Sequence, residues 1–360
     1  MIRVVHFQRR PQPGQLSIER VFDQVRRALP SSIACSVQVS PKFSRGLLQR
    51  TENLWDARRA GNGAGINHIT GDVHYLAAVL EGRRTVLTVH DCVSLRRLRG
   101  LKRMLFRWAW YDWPLRRVGV VTAVSEFVRG EILGQVRCAG LKIRVIPNCI
   151  GSEFQPAPQR FNQDNPLILQ VGTGPTKNVE RTVIALAGLK CRLKIIGGLS
   201  VRQLEVLSQS RLLYSNLPRA SDAELLQAYR ECDLVVFASS YEGFGLPIVE
   251  ANVTGRAVIT SNVCAMPEVA GKAACLVNPG DVGSIRAGVL RVINEPGYRK
   301  WLVDAGFENI KRFEAASVAR QYGDVYAALS VRREGVHAKA RSRKDFARRW
   351  WWPENSRGED

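Results

Sequence analysis

Apolar positions along the chain fall into two alternating rhythms. Short unbroken runs rich in β-branched residues occur at Ile2–Phe7, Thr85–Val89, Val118–Val124, Leu167–Val171, Leu193–Gly197, Leu234–Ala238 and Ala257–Thr260. Their length and composition predict strands buried on both faces of a parallel sheet. Ser36–Val39 predicts one more. Between these runs the apolar residues return at helical spacing. Ile18, Val21, Phe22, Val25 and Leu29 do so across Ser17–Leu29, which ends before Pro30. Further helices are predicted from Val179, over Ile248–Thr254, Val282–Ile293 and Tyr298–Phe307, and over a longer Phe313–Leu329. Strand and helix in alternation predict an α/β fold with parallel sheets.

The run Gln155–Asn165, Gln-Pro-Ala-Pro-Gln-Arg-Phe-Asn-Gln-Asp-Asn, breaks the rhythm with proline and polar side chains and reads as a linker. The expected division is a first domain at 1–155, a linker at 156–165 and a second domain at 166–312. A last helix at 313–330 and a tail at 331–360 follow.

Candidate chemistry concentrates at 234–271. The strand Leu234–Ala238 runs into a small-residue loop, Ser239 to Gly245, with glycines at 243 and 245 where backbone must approach another group closely. Leu246-Pro247 opens a helix, since proline suits a first turn, and Gly255 stops it. The loop therefore sits at the carboxyl end of a strand, the edge where open α/β sheets bind ligands. Amides at the helix start suit an anion such as a diphosphate. Glu242 and Glu250 frame the turn with seven residues between them. Two carboxylates beside a phosphate-binding turn suit the paired hydroxyls of a nucleotide sugar.

The string Ser-x-Tyr-Glu242-Gly243-Phe244-Gly245-Leu246-Pro-x-x-Glu250-Ala, followed by Pro267-Glu268-Val269-Ala270-Gly271, resembles the donor-site signature of the family 4 retaining glycosyltransferases. Looser landmarks cover the first half: His90-Asp91 after the strand Thr85–Val89, Thr122-Ala-Val-Ser125-Glu126, and Ile146-Pro147-Asn148. The family has glycine after that asparagine, where this chain has Cys149. The resemblance implies the GT-B architecture, two Rossmann-like doubly wound domains facing each other across a cleft.

It also implies roles. Glu242 would hold the transferred sugar, Glu250 the ribose, and His90 would touch the sugar from the facing domain. Lys177, which follows the glycine turn Gly172-Thr173-Gly174 at a helix start, would neutralise the leaving diphosphate together with the amides of Phe244, Gly245 and Leu246. The family pairs that lysine with an arginine, and the corresponding places here hold Thr173 and Thr176. The loop Gln8–Gln15, glycine-rich in the family, retains only Gly14. The segment 217–229 resembles the part that passes the nucleotide base. His68 and His74 lack strand-end support of this kind and read as structural. The implied reaction moves a hexose, mannose- or glucose-type, from a UDP- or GDP-sugar to a carbohydrate or lipid-linked acceptor. It needs no cofactor and no metal, and no Asp-x-Asp triplet is present.

Charge changes this picture in one respect. The formal net charge is +21, of which residues 1–160 carry +15, residues 161–330 +2 and residues 331–360 +4. Between Arg83 and Arg117 ten basic residues face only Asp91 and Asp112, interleaved with Phe106, Trp108, Trp110, Tyr111 and Trp113. Leu98–Leu115 accordingly predicts a basic amphipathic helix able to meet an anionic membrane surface. The packing alternative is that the tryptophans enter the core while the arginines solvate a face. Nucleic acid is a third possibility that the donor-site string disfavours. The tail, with Trp350-Trp351-Trp352, reads as a second membrane contact.

No apolar run reaches the ~18 residues of a membrane span, and Met1–Phe7 is too short for a signal-peptide core. Eight scattered cysteines without a C-x-x-C pair favour reduced thiols in a cytosol. The expected location is cytoplasmic and peripheral, at the inner face of the cell membrane. Two other readings remain open at this level. One is a glycoside hydrolase using Glu242 and Glu250 as acid and base; the other is a non-catalytic basic protein that binds membranes or nucleic acid.

Overall fold

The computed structural model describes residues 1–11, 17–61, 63, 65–136 and 143–331. Gly14 and the tail from 332 onward lie outside the described residues. The strands form two six-stranded sheets in which every pairing is parallel. The first contains β1 (Ile2–Gln8), β2 (Ile33–Val39), β3 (Ile66–Ile69), β4 (Thr85–Val89), β5 (Val120–Ala123) and β6 (Ile143–Val145). Its strand order is 2-1-3-4-5-6. The second contains β7 (Leu167–Val171), β8 (Arg192–Ile196), β9 (Leu213–Leu217), β10 (Leu234–Phe237), β11 (Ala257–Ser261) and β12 (Cys275–Val277). Its order is 12-11-10-7-8-9. Helices cross between strands, so this is the two-domain GT-B arrangement of doubly wound units.

Each order has one reversal. The chain leaves β1 toward β2 and returns to β3 on its other side; it leaves β7 toward β9 and returns to β10. At such a reversal the loops after adjacent strands turn to opposite faces and open a crevice. In the second sheet those loops carry Lys177, after β7, and Glu242, after β10. The central strand β10 is wholly buried, as its unbroken Leu-Val-Val-Phe predicts.

The last helix, residues 315–331, packs on the first sheet. Val318, Ala319, Tyr322, Val325, Tyr326 and Leu329 cluster with Val4, Val21, Phe22, Val25, Ile33, Ile66 and Val86. Each large aliphatic buried there contributes about 1.5–3 kcal/mol. A polar relay crosses this otherwise apolar contact. The Tyr326 hydroxyl lies 2.9 Å from His6 Nε2 and 2.6 Å from His68 Nδ1. His68 Nε2 lies 2.7 Å from Thr88 Oγ1, which in turn lies 2.7 Å from Thr122 Oγ1. His68 is thus a structural histidine, as is His74, whose Nδ1 is 2.9 Å from the Trp110 carbonyl.

The basic segment departs from the sequence expectation. It is not one amphipathic helix over Leu98–Leu115. A helix at Gly100–Arg107 passes through a π-helical turn, Trp108–Asp112, into Trp113–Arg117. The wider π turn shifts the helical phase, and Phe106, stacked on Trp110, marks where the segment turns inward. Up to the first residue of the π turn, Leu101, Met104, Leu105 and Trp108 point to solvent with more than half of their surface exposed; within it Trp110 and Tyr111 are buried, and so is Leu115 beyond it. Both outcomes weighed for these aromatics therefore occur, in successive turns.

Candidate active site

The turn after β7 is held in place by two residues with no charge. Gly172 takes φ +84°, and a Cβ there would come within 2.9 Å of the Lys177 side chain, so glycine lets the lysine fold back over the turn. Asn178 takes φ 57°, and its Nδ2 donates to the carbonyls of Ala238 (2.9 Å) and Pro279 (2.8 Å). Asparagine tolerates this left-handed conformation better than most residues. That side chain ties the β7 turn to the β10 loop and thereby sets Lys177 opposite Glu242.

Lys177 Nζ is 2.7 Å from Glu242 Oε1 and 4.6 Å from the centroid of the Phe237 ring. Both side chains are largely covered. Glu250 lies on the Leu246–Val253 helix, buried, and accepts a 2.6 Å hydrogen bond from the Tyr229 hydroxyl. Burial raises the Glu250 carboxyl above its ordinary range, while the Tyr229 bond and the charges of Arg20 and Lys177 pull the other way. Arg20 comes from the facing domain, on the helix Ser17–Ala28, and pairs with Asp222 at 3.1 Å. It is a cation at this site that the sequence did not single out.

The Leu246–Val253 helix begins at Gly245, which takes φ +104°, and carries proline in its first turn. Ile248 N donates to the Gly245 carbonyl at 3.0 Å. The amides of Phe244, Gly245 and Leu246 precede that bond, as unpaired donors at a helix start do. Thr173 is not aimed at them: its Oγ1 donates to the Gly198 carbonyl at 2.7 Å. Thr176 uses its carbonyl to accept from Ser240 N at 2.8 Å. Neither threonine supplies charge, and the two serve to shape the turn.

His90 arrives from the first sheet, at the end of β4. Its Nε2 donates to the Thr70 carbonyl at 2.8 Å, which leaves Nδ1 as the acceptor of a neutral ring. Burial drives its pKa down to about 4, with the Thr70 bond opposing. The backbone beside it meets the glycine loop: a Cβ on Gly243 would stand 1.9 Å from the His90 carbonyl oxygen. This contact requires glycine and explains why Glu242 is followed by one.

The two domains touch through further bonds around that point. Ser125 Oγ donates to the Gly243 carbonyl at 2.7 Å. The Tyr241 hydroxyl accepts from Cys92 N at 2.9 Å and donates to Glu131 Oε2 at 2.5 Å. The Glu268 carboxylate accepts from the amides of Glu126 (2.8 Å) and Phe127 (3.2 Å) at the start of the Glu126–Gln135 helix. A carboxylate there satisfies donors that a helix leaves open. The structure thus brings Glu242, Gly243, Phe244, Gly245, Leu246, Lys177, Gly172 and His90 to one cleft, with Glu250 in its wall. Among the described residues no cluster of histidine, cysteine and acidic side chains is arranged to hold a metal ion.

Two facing doubly wound domains, with a cation and a helix start at the crevice of the second, make the GT-B architecture. The chain belongs to the family 4 glycosyltransferases: residues 17–154 match the Glycosyltransferase Family 4 model and residues 151–308 match Glycosyl transferases group 1. A similar curated protein is the serotype-specific mannosyltransferase WbdA of Escherichia coli, 26% identical over 307 residues. That alignment takes in 73% of this chain but 37% of WbdA, so the chain spans little more than a third of that relative. Among solved structures, sucrose-phosphate synthase from Thermosynechococcus elongatus superposes with a TM-score of 0.75 at 16% identity, over 91% of this chain and 99% of that one. Anabaena Alr3699/HepE, determined in complex with UDP and glucose, gives 0.74 at 15% identity, over 91% and 100%. At these identities the two superpositions bear on the fold.

Proposed function

We propose that this chain is a retaining glycosyltransferase. It moves a hexose, mannose- or glucose-type, from a UDP- or GDP-sugar to a carbohydrate or lipid-linked acceptor in surface polysaccharide or glycolipid assembly. One observation carries the reading: Lys177 and Glu242 meet at 2.7 Å in the switch-point crevice, in front of a helix start, where the His90 carbonyl of the other domain lies against Gly243. Lys177 and the amides of Phe244, Gly245 and Leu246 stabilise the charge that develops on the departing diphosphate, where most of the rate is gained. Glu242 accepts hydrogen bonds from the sugar, and Glu250 accepts from the ribose. His90, neutral and fixed through Nε2, offers Nδ1 to a sugar hydroxyl. The mannosyltransferase relative favours mannose as the first sugar to try.

The expected result of a thermal-shift screen is stabilisation by one nucleoside diphosphate among UDP, GDP and ADP. At a hundred times its Kd a ligand adds about 2.7 kcal/mol to the folded state. Indifference to all three and to their hexose conjugates would remove the donor-site reading.

The enzyme works, on this reading, at the inner face of a membrane. Leu101, Met104, Leu105 and Trp108 form an exposed apolar row at helical spacing, set among Lys102, Arg103 and Arg107. Each basic residue near an anionic leaflet adds about 1 kcal/mol. No helix among the described residues is long and apolar enough to cross a membrane. The protein is expected to co-sediment with phosphatidylglycerol vesicles and not with phosphatidylcholine vesicles, and to lose that binding in L105E/W108E. Equal recovery of wild type and variant on anionic vesicles would refute the membrane face.

A further inference from the structure

We propose that the pocket between the ends of β1 to β4 and the helix Gly46–Gly61, which carries Arg50, is an acceptor subsite for a phosphate ester, so that the acceptor sugar carries a phosphate or diphosphate. This rests on the transferase reading above. The pocket holds about 260 Å³ and is lined by Arg9, Arg10, Arg50, Asp72, Phe106 and Trp110 among others. Small-molecule sites run from roughly 300 to 1,000 Å³, so this one fits a charged fragment better than a whole oligosaccharide. Its wall approaches His90: the charge of Arg9 acts on the His90 ring, and Asp72 lies two residues beyond Thr70, whose carbonyl fixes that ring.

The charges in the pocket are unevenly matched. Arg9 Nε pairs with Glu19 at 2.8 Å. Asp72 Oδ1 is taken by Trp110 Nε1 at 2.9 Å. Arg10 and Arg50 form no ion pair among the described residues, and both are held by neutral partners. Arg10 Nη1 donates to the Pro41 carbonyl at 2.5 Å, with its guanidinium 4.8 Å from the Phe43 ring centroid. Arg50 Nε donates to the Ser44 carbonyl at 3.1 Å, and its guanidinium lies 4.9 Å from the Trp110 ring, which is stacked on Phe106. The Nη groups of Arg50 have no hydrogen-bond partner among the described residues.

A guanidinium anchored by one nitrogen and one aromatic face is pre-organised, and its remaining fork matches two phosphate oxygens. A neutral acceptor covering this pocket would strip water from two cations without replacing it, which is costly. A phosphate restores the balance. The same group occurs on a soluble sugar phosphate and on a sugar joined to a lipid by diphosphate.

Calorimetric titration with mannose 1-phosphate and with mannose, in the presence of GDP and UDP to occupy the donor crevice, tests the subsite without requiring turnover. Mannose 1-phosphate is expected to bind wild type at least tenfold more tightly than R10Q/R50Q, with both proteins melting at the same temperature, while mannose does not distinguish them. Equal binding of mannose 1-phosphate by the two proteins, or none by wild type, overturns the proposal. Retained binding with no transfer from any nucleotide hexose would instead sink the transferase reading and leave the anion site standing. Transfer to mannose 1-phosphate assigns the soluble source, and transfer only to a polyprenyl-diphosphate mannose in micelles assigns the lipid one.

Discussion

Lys177→Ala is expected to lower kcat for hexose transfer by about a hundred- to a thousandfold, the usual loss when one pre-organised donor to a developing anion is removed. Two effects act in the same direction. The departing diphosphate loses its only described cation in the β7 turn, since Thr173 and Thr176 replace the arginine of the family pattern. The Glu242 carboxylate, now unpaired, faces that diphosphate as a like charge. Folding should be nearly unaffected. Lys177 and Glu242 are largely covered but keep 24% and 15% of their side-chain exposure, so the carboxylate left behind still reaches water and the loss stays near about 1 kcal/mol. Steady-state transfer measured beside a melting curve separates these outcomes. A variant that melts like wild type and keeps a tenth or more of its kcat would show that the diphosphate is held elsewhere, with Arg20 the first residue to examine. Thr176→Arg is the companion variant: if the turn lacks a cation, adding one should tighten nucleotide binding.

The strand-loop-helix part of the candidate site was legible because its determinants are local. The turn, the glycines at 243 and 245, Glu242 and Glu250 share one strand-loop-helix unit, and Lys177 stands at the start of another. Local spacing fixes which end of a strand such residues occupy, whatever the rest of the chain does. The domain contacts had no such signal. Ser125 reaches Gly243 across 118 positions of sequence, and Glu268 reaches the amide of Glu126 across 142. Arg20 looked like one basic residue of a surface helix until the facing domain brought Asp222 and Glu250 beside it. The basic segment misled for a different reason. A helical wheel assumes constant phase, and the π turn at Trp108–Asp112 breaks it, so one set of aromatics could enter the core while an earlier apolar row stayed outside.

The second large effect is acid destabilisation through the buried histidines. His6 is fully buried, and burial together with the Arg26 charge lowers its pKa from 6.5 to about 3. His68, equally buried, is pushed well below its ordinary value, by burial first and then by neighbouring His6 and His90. The geometry gives the reason. Arg26 donates to His6 Nδ1 at 3.5 Å, so a neutral His6 donates through Nε2 to the Tyr326 hydroxyl, which donates in turn to His68 Nδ1; a proton added to either ring removes one of these two acceptors.

The unfolded chain takes up protons near pH 6.5 and the native one does not, so stability falls as pH drops below 6.5 toward the depressed native values. His6 alone contributes a slope of about 1.4 kcal/mol per pH unit, or about 3 kcal/mol by pH 4. Domains of ordinary stability have about 5–15 kcal/mol in all. Asp91 and Glu250 oppose this, because burial raises both carboxyls and the native state then holds the extra proton. A paired comparison isolates the histidine term. Urea midpoints taken between pH 7 and pH 4.5 should fall more steeply for wild type than for His6→Gln, by about 1.4 kcal/mol per unit once multiplied by the common m-value. Parallel slopes for the two proteins would mean that His6 is protonated in the native state and that the Tyr326 relay is arranged differently.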